Sequence, residues 1–148
     1  MTTSRTPRLA GRLLLLASLL PAVLAVAPPA QAAATCSGSG CNGKDPQTYG
    51  CYSDAKPLAS LSLNHGTSTM TLFYSRKCTA NWARITTPSF SLGANIWVEN
   101  ALGDSYSTGS VEYGYSDTHM VNGEPIARAC AVDNSGYPPS HPGCTGWF

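Results

Sequence analysis

Hydrophobic and polar residues alternate in two short runs near the middle of the chain, at residues 58–64 and 69–75. The apolar positions are Leu61 and Leu63 in the first run and Met70, Leu72 and Tyr74 in the second. Because successive side chains of a strand point to opposite faces, this period of two predicts strands with one apolar face each. A turn at residues 65–67 separates the runs, so we expect the two strands to pair in an antiparallel way.

A third run of this kind begins at Cys78 and stops before Pro88. A period of two places Cys78, Ala80 and Trp82 on one face of the run. Proline has no backbone N–H to donate, so it is a natural end for a strand. The run therefore predicts a strand in which a disulfide packs against the Trp82 indole in a shared core.

Strand patterns in the second half of the chain are weaker and are interrupted by turn signals. Strands are predicted over residues 96–99, 110–115 and 126–132, with turns at residues 102–104 and at Asn122-Gly123. Gly114 weakens the second of these strands. The three alanines of the last segment also suit a short helix. We prefer a strand there, because Ile126, Cys130 and Val132 share one face under a period of two.

Residues 36–57 are dense in glycine, serine, asparagine, aspartate and proline. Such a segment has too few consecutive apolar residues for a long strand or helix, and we expect cross-links to order it. No long segment with helical periodicity occurs in residues 33–148. The chain is therefore predicted to be all-β, a small disulfide-stapled antiparallel sandwich or open barrel that follows an N-terminal signal peptide.

The first part of the chain has the three-part layout of a secretory signal peptide. Three arginines precede an apolar stretch at residues 13–27, and Ala30-Gln31-Ala32 supplies small residues for a signal peptidase. Cleavage is expected after Ala32, with Ala34 as the second choice. A lipid anchor on Cys36 is the alternative, but Thr35 stands where a lipoprotein signal has a smaller residue. The predicted organisation is a signal peptide at residues 1–32 and a single disulfide-rich β domain at residues 33–148.

Removal of the signal peptide changes the charge of the chain. It takes three of the nine lysines and arginines and none of the eight acidic residues, so six positive and eight negative side chains remain, near net −2. Nucleic acids and anionic membranes both require a positive face. The composition therefore argues against nucleic acid and against membrane binding after cleavage, and a secreted (extracellular) monomer is expected.

All six cysteines lie after the predicted signal peptide: Cys36, Cys41, Cys51, Cys78, Cys130 and Cys144. An even number in an exported chain is typical of disulfides, here three. A zinc site built from the first four is the alternative, but none of them has the C-x-x-C spacing that places two thiolates on one metal. Cys130 and Cys144 are the easiest pair to propose. The other four cysteines allow three connectivities, among which the sequence does not choose.

Several of these cysteines belong to a longer composite pattern. It comprises Cys36-x-Gly38-x-x-Cys41-x-Gly43-x-Asp45-Pro46, then Gly50-Cys51-x-x-Asp54-Ala55, then Tyr74-Ser75-x-x-Cys78-x-Ala80-x-Trp82-Ala83-Arg84. In this pattern, which covers roughly residues 36–85, the chain resembles the secreted bacterial proteins known as domain of unknown function 2690. Residues 120–121 and 127–130 are similar to the longer members. The resemblance implies export and a cysteine-stapled domain, and it implies no reaction.

Candidate catalytic residues are few. Asp45 and Asp54 could form the paired carboxylates of a glycoside hydrolase. A structural role suits their positions better, because Asp45 lies in an Asp-Pro turn and Asp54 in a loop. Arg84 shares a strand face with Trp82, so it should approach the core and need a carboxylate. We expect Asp45 or Asp54 to be that partner in a structural ion pair, and we assign no catalytic residue, metal or cofactor.

The aromatic residues of the second half give the one mild functional hint. Five of them lie in a half rich in serine, threonine and glycine: Trp97, Tyr106, Tyr113, Tyr115 and Trp147. The first four are the candidates for a binding surface. Exposed flat rings on a β scaffold suit sugar faces or a protein partner, although most of these rings could instead pack in the core. The sequence favours a secreted, non-catalytic binding or structural domain, with cell-wall glycan or an extracellular protein as partner. The alternative is a small extracellular glycoside hydrolase that uses Asp45 and Asp54.

Overall fold

Two antiparallel sheets organise the part of the chain that the structure describes. The structure, a computed structural model, describes five ranges: residues 35–63, 66–87, 94–108, 113–133 and 143–148. Nine strands lie within these ranges: β1 (Lys56–Leu63), β2 (Ser68–Ser75), β3 (Ala80–Thr87), β4 (Ala94–Asn100), β5 (Ser105–Ser107), β6 (Gly114–Asp117), β7 (Val121–Asn122), β8 (Ala127–Asp133) and β9 (Gly143–Cys144). The segment predicted to be a signal peptide, residues 1–32, lies outside the described residues.

The strand order shows that the two sheets are separate. The first sheet has the order β1-β2-β3-β6. The short strand β7 also pairs with β3, at residues 80–81, whereas β6 pairs with residues 84–87 of the same strand. The second sheet has the order β5-β4-β8-β9. Every neighbouring pair is antiparallel. The prediction of an all-β antiparallel fold is confirmed, and the architecture is a sandwich that does not close into a barrel.

The main core lies between the inner faces of the two sheets. In the first sheet Met70 and Leu72 of β2 stand opposite Ile85 and Ala83 of β3, all fully buried. The second sheet contributes buried residues from β4 and β8: Ala94, Ile96, Val98, Ala127, Ala129 and Ala131. This is the packing expected of two pleated sheets, because alternate residues of each strand meet the facing sheet.

Strand β8 confirms the preference for a strand over a helix in residues 126–132, and it shows which face is buried. The alanines at positions 127, 129 and 131 face the core, while Ile126 is 53% exposed and Val132 is half-buried. Small side chains on the inner face let the two sheets approach closely. The apolar set that indicated a strand therefore lies on the face away from the main core.

A second, smaller core covers the outer face of the first sheet. It contains Trp82, Met120, Ala80 and three cysteines, and residues of the loop-rich segment 36–55 pack over it. Two single-turn 3₁₀ helices, Gly38–Cys41 and Cys51–Asp54, shape that segment. The expectation that a disulfide packs against the Trp82 indole is confirmed.

Three disulfides hold the described chain together. They join Cys36 to Cys41, Cys51 to Cys78 and Cys130 to Cys144. The pairing proposed for Cys130 and Cys144 is confirmed, and the two residues lie opposite each other on β8 and β9. The remaining four cysteines adopt one of the three connectivities that the sequence left open.

The shorter strands are the part of the fold that the sequence did not predict. Strands β5, β7 and β9 have only two or three residues each, too few for a period to be visible. The strand predicted over residues 110–115 is described from residue 113 onward, and β6 begins at Gly114. Within the five described ranges there is no helix with the length and apolar character needed to cross a bilayer.

Candidate functional site

The outer face of the first sheet carries a cluster of aromatic rings around one arginine. We call it the Arg84 cluster, and its members are Tyr52, Phe73, Trp82, Arg84, Tyr115 and Asp117. Phe73 and Trp82 are directly paired across β2 and β3, and Arg84 and Asp117 across β3 and β6. Alternation along these strands sends the members to the side opposite the main core. Tyr52 comes from the 3₁₀ turn Cys51–Asp54, which the disulfide from Cys51 to Cys78 ties to the start of β3.

A stack of three rings forms the buried end of the cluster. The Trp82 indole lies 5.8 Å from the Tyr52 ring and 5.7 Å from the Phe73 ring, centroid to centroid, with interplanar angles of 17° and 14°. Such pairs add about 0.5–1.5 kcal/mol beyond their buried area. Trp82 is 1% exposed, and within the described residues its Nε1 has no hydrogen-bond partner. Ring packing is therefore the contribution of Trp82 to this face.

The Arg84 guanidinium lies among three of the rings. Its Cζ is 4.8 Å from the Tyr52 centroid, 5.3 Å from that of Phe73 and 4.8 Å from that of Tyr115. Attraction between a cation and a ring face is significant within about 6 Å of the centroid. The guanidinium thus links the buried stack to Tyr115, which is 61% exposed.

A carboxylate balances the charge of Arg84. Nε and Nη2 of Arg84 donate to Oδ1 and Oδ2 of Asp117 at 2.8 and 2.9 Å, the bidentate geometry in which arginine binds carboxylates most firmly. These hydrogen bonds raise the pKa of Arg84 despite its partial burial. The Tyr52 hydroxyl also donates to Asp117 Oδ2. Burial, together with this bond to a carboxylate, raises the pKa of Tyr52 above its ordinary value of 10.0.

The predicted partners of Arg84 are wrong, although the predicted need for a carboxylate is correct. Arg84 pairs with Asp117, not with Asp45 or Asp54. Arg84 and Asp117 are 33 residues apart in the chain and become neighbours only because β6 pairs with β3. The two predicted aspartates instead stabilise the segment that covers this sheet.

Asp45 and Asp54 both accept hydrogen bonds from nearby donors. Asp45 Oδ1 accepts from the Thr48 backbone at 2.7 Å. Asp54 accepts from the Ser75 hydroxyl at 2.5 Å and from the Lys77 backbone at 2.9 Å. Burial pushes the pKa of each carboxyl upward, but these hydrogen bonds outweigh it, so both pKa values lie below the ordinary value of 3.8. Both groups are consequently anionic at neutral pH.

The four aromatic residues proposed as a binding surface do not come together. Tyr113 and Tyr115 are 62% and 61% exposed at the edge of the first sheet. Tyr106 packs partly buried against the main core, and its ring lies so close to Gly43 that a Cβ there would be 3.2 Å away. Trp97 lies on β4, in the second sheet. The sequence missed Tyr52, Phe73 and Asp117, of which only Asp117 left a signal, because it follows Tyr113 and Tyr115 at a spacing of two.

The outer face of the second sheet carries a smaller arrangement of the same kind. Arg128 Nε donates to Glu99 Oε1 at 2.5 Å, between directly paired residues of β8 and β4. The Trp97 indole donates to Glu99 Oε2 at 3.1 Å. The Arg128 Cζ lies 4.5 Å from the centroid of Trp147, which is 42% exposed. Within the ranges that the structure describes, one ring face meets this guanidinium, whereas three meet that of Arg84.

The four cysteines of the zinc alternative do converge in space. The sulfur atoms of Cys36, Cys41, Cys51 and Cys78 all lie within 4.8 Å of one another. They form two disulfides, and no described cysteine is free. Zinc binds cysteine as the thiolate, so in this oxidised state the four residues act as two adjacent covalent links beneath Tyr52.

Comparison with known proteins identifies one family. The model of a family described as "Protein of unknown function (DUF2690)" matches residues 39–132, a range that contains every member of the Arg84 cluster. Among curated proteins and among solved structures, nothing matches the chain.

Proposed function

The chain belongs to the family described as "Protein of unknown function (DUF2690)", and from that premise we propose that it is a secreted, non-catalytic domain that binds glycan chains. The binding surface is the exposed end of the Arg84 cluster. The observation that carries the proposal is that Tyr115 is 61% exposed while the Arg84 guanidinium lies 4.8 Å from its ring centroid.

Tyr115 has the properties of a platform for a sugar ring. Tyrosine offers a flat apolar face with a hydroxyl at its edge, which suits the apolar face and the hydroxyls of a pyranose. Contact with Arg84, itself fixed by Asp117, restricts the Tyr115 ring before any ligand arrives. A preorganised side chain loses less entropy on binding.

The surroundings of Tyr115 add polar groups and a second ring. Thr86 lies directly opposite Tyr115 in the pairing of β3 and β6, and it is exposed. Its hydroxyl can donate to or accept from a sugar hydroxyl. Tyr113, two residues before Tyr115, is 62% exposed. An extended surface of this composition suits a polysaccharide better than a small buried ligand.

The proposal of secretion is supported by covalent chemistry. Three disulfides form in the described chain, and disulfides persist mainly in oxidising environments outside the cytosol. The signal-peptide pattern of residues 1–32 supports the same location. Cell-wall glycan is therefore the class of ligand that such a domain would meet first.

The lowered pKa values of the Asp45 and Asp54 carboxyls favour a binding domain over a glycoside hydrolase. A glycoside hydrolase needs one carboxyl with a raised pKa to serve as general acid. Asp45 and Asp54 have lowered pKa values, and their oxygens accept bonds from Thr48, Ser75 and Lys77. The hydrolase alternative predicts turnover that Asp45→Asn abolishes, and a screen with general glycosidase substrates tests it.

Sedimentation with insoluble peptidoglycan and chitin tests the proposal. We expect the protein to be retained by at least one of them, and Tyr115→Ala to weaken retention at least tenfold, which corresponds to about 1.4 kcal/mol. Trp147→Ala is the matched control, since Trp147 is also an exposed ring that contacts an arginine, but that arginine, Arg128, belongs to the second sheet. Its retention should be unchanged. Thermal unfolding of both variants checks that each is folded.

Two outcomes would contradict the proposal. Absence of retention on both polysaccharides would exclude the proposed ligand class. Loss of retention in Trp147→Ala together with full retention in Tyr115→Ala would place the binding surface on the other sheet.

A further inference from the structure

A groove with a charged half and an apolar half is formed by two cavities that share Tyr74 and include no member of the Arg84 cluster. The charged half is a cavity of about 260 Å³ lined by Asp54, Lys56, Tyr74 and Arg76. The apolar half is a cavity of about 190 Å³ lined by Leu58, Tyr74, Asn81, Gly123 and Phe148. Tyr74 lines both cavities, so they are neighbours at its side chain.

The sheet pairing explains why these residues meet. Lys56 and Tyr74 are directly opposite each other on β1 and β2, and Arg76 follows the end of β2. Phe148 belongs to the segment after β9, and its backbone N–H donates to the Ala127 carbonyl at 2.9 Å. The apolar half is therefore lined by the first sheet and by the segment that follows the last strand of the second sheet.

The charged half has an excess of positive charge. Neither Lys56 nor Arg76 has a side-chain ion pair with any carboxylate in the described ranges. Asp54, the one acidic residue of the lining, is held by the Ser75 hydroxyl and the Lys77 backbone N–H. The lining therefore carries two positive side chains and one carboxylate that already accepts two hydrogen bonds. The net charge of the site is positive, and such a site attracts an anion.

The apolar half differs sharply in character. Leu58 is 38% exposed and Phe148 is 49% exposed, and neither Lys56 nor Arg76 lines this cavity. Large apolar side chains that border a concave surface favour an apolar ligand group. The groove thus matches a ligand whose negative charge stands next to an apolar body.

We infer that this groove binds the C-terminal end of a peptide, with the terminal carboxylate between Lys56 and Arg76 and an apolar last side chain against Tyr74, Leu58 and Phe148. Arginine binds a carboxylate through two parallel N–H donors, and lysine adds a second positive charge. The terminal carboxylate and the last side chain of a peptide are bonded to the same α-carbon, so a single residue can present them to two neighbouring cavities. This site shares no residue with the Arg84 cluster and does not depend on glycan binding.

Calorimetric titration of the mature protein with acetyl-Ala-Leu tests the inference. The free acid should bind, and the C-terminal amide of the same peptide should bind at least tenfold more weakly because it lacks the negative charge. Acetyl-Ala-Gly, which has the carboxylate but no apolar side chain, should also bind more weakly. Arg76→Gln and Lys56→Gln should each weaken binding of the free acid at least fivefold.

Lys44→Gln is the matched control. It removes the same charge from an exposed lysine that lines neither cavity and contacts the Tyr49 ring instead. Its affinity for acetyl-Ala-Leu should stay within twofold of the original protein, and Tyr115→Ala should likewise leave it unchanged. Near-ultraviolet circular dichroism establishes that the variants are folded.

Three results would overturn the inference. The first is equal binding of the acid and the amide, which would mean that the carboxylate is not recognised. The second is an equal loss in Lys44→Gln and Arg76→Gln, which would indicate general electrostatic attraction. The third is no heat of binding at any soluble peptide concentration. None of these results bears on retention by polysaccharides, so the two proposals fail separately.

Discussion

The two outer faces of the sandwich use the same set of interactions at different depths. On each face an arginine pairs with a carboxylate on the neighbouring strand, and an aromatic ring lies against the guanidinium. In the first sheet the pair is Arg84 with Asp117, and in the second it is Arg128 with Glu99. The side-chain exposures are 25% and 6% for the first pair, against 34% and 24% for the second.

The covering segment accounts for the difference. Residues 36–55 and two disulfides lie over the first sheet and bring Tyr52 to the arginine. Among the described residues, only Trp147 brings a ring to the arginine of the second sheet from outside the strands. An ion pair gains from a less polar environment only when hydrogen bonds satisfy both partners. We therefore expect the pair of Arg84 and Asp117, beneath the covering segment, to contribute more to stability than an ion pair exposed to solvent.

Loss of the Cys51–Cys78 disulfide should produce the largest effect. This link spans 27 residues, and its removal by Cys51→Ser with Cys78→Ser should lower the free energy of unfolding by about 3.5 kcal/mol. It should also release Tyr52, so the near-ultraviolet circular dichroism of the Trp82 stack should fall. Urea unfolding and the spectrum measure the two effects.

The Cys130–Cys144 disulfide provides the comparison. It spans 14 residues, and Cys130→Ser with Cys144→Ser should cost about 3 kcal/mol. Because it lies in the second sheet, the near-ultraviolet signal of Trp82 should persist. An unchanged signal after loss of the Cys51–Cys78 link would show that the cover is held by packing alone.

Neutral replacements of the two carboxylates compare the ion pairs directly. Asp117→Asn leaves the Arg84 guanidinium partly buried without a countercharge and weakens the bond from Tyr52, so we expect a loss of about 2 kcal/mol. Glu99→Gln on the more exposed face should cost less than about 1 kcal/mol. Urea unfolding at pH 7 measures both. Equal losses would mean that the cover does not change the energetics of the pair.

Tyr52→Phe should have a small effect with a distinctive pH dependence. It removes one hydrogen bond to Asp117, worth about 1 kcal/mol. Because the folded state raises the pKa of Tyr52 above 10.0, the unfolded chain loses this proton first as the pH rises. The contribution of Tyr52 is thus fully present below pH 10 and is lost above it.

Stability curves at several pH values test this expectation. The stability difference between the original protein and Tyr52→Phe should be constant from pH 7 to 9 and should shrink above pH 10. Trp97→Phe removes the indole bond to Glu99 on the second face without removing a group that titrates in this range. Its stability difference should stay constant throughout. Parallel curves for Tyr52→Phe and Trp97→Phe would contradict the assignment of the Tyr52 hydrogen bond.

The fold class could be predicted because alternation is a local property of the sequence. The apolar sets of β2 and β3 identify their buried faces without knowledge of the partner strands. The pairing of Cys130 with Cys144 could also be predicted, because only a turn-rich segment separates the two residues in the chain. Strands such as β7 and β9, with two residues each, are too short to show an alternation of apolar and polar residues. They are recognised only from their pairing with neighbouring strands, which the sequence pattern does not give.

The sequence predicted the kind of interaction at the candidate site, an arginine paired with a carboxylate, but not all of the residues that form it. The position of Arg84 on the face of Trp82 showed that it would need a carboxylate. The identity of that carboxylate depends on the register between β3 and β6, which is set by tertiary packing. Likewise, a period of two gives the face of Trp97 or Tyr115 within its strand, but not which of the two sheets the strand joins.

The closeness of the first two disulfides has a consequence for preparing the protein. The four sulfur atoms lie within 4.8 Å of one another. When one of the two disulfides is reduced, its thiolates are therefore close enough to attack the other disulfide in an exchange reaction. Distance alone therefore does not select the native partners, and rapid air oxidation of reduced chain should trap isomers. Material for any of these measurements is best made by export into an oxidising compartment, or refolded slowly in a glutathione buffer that lets mispaired bonds reshuffle.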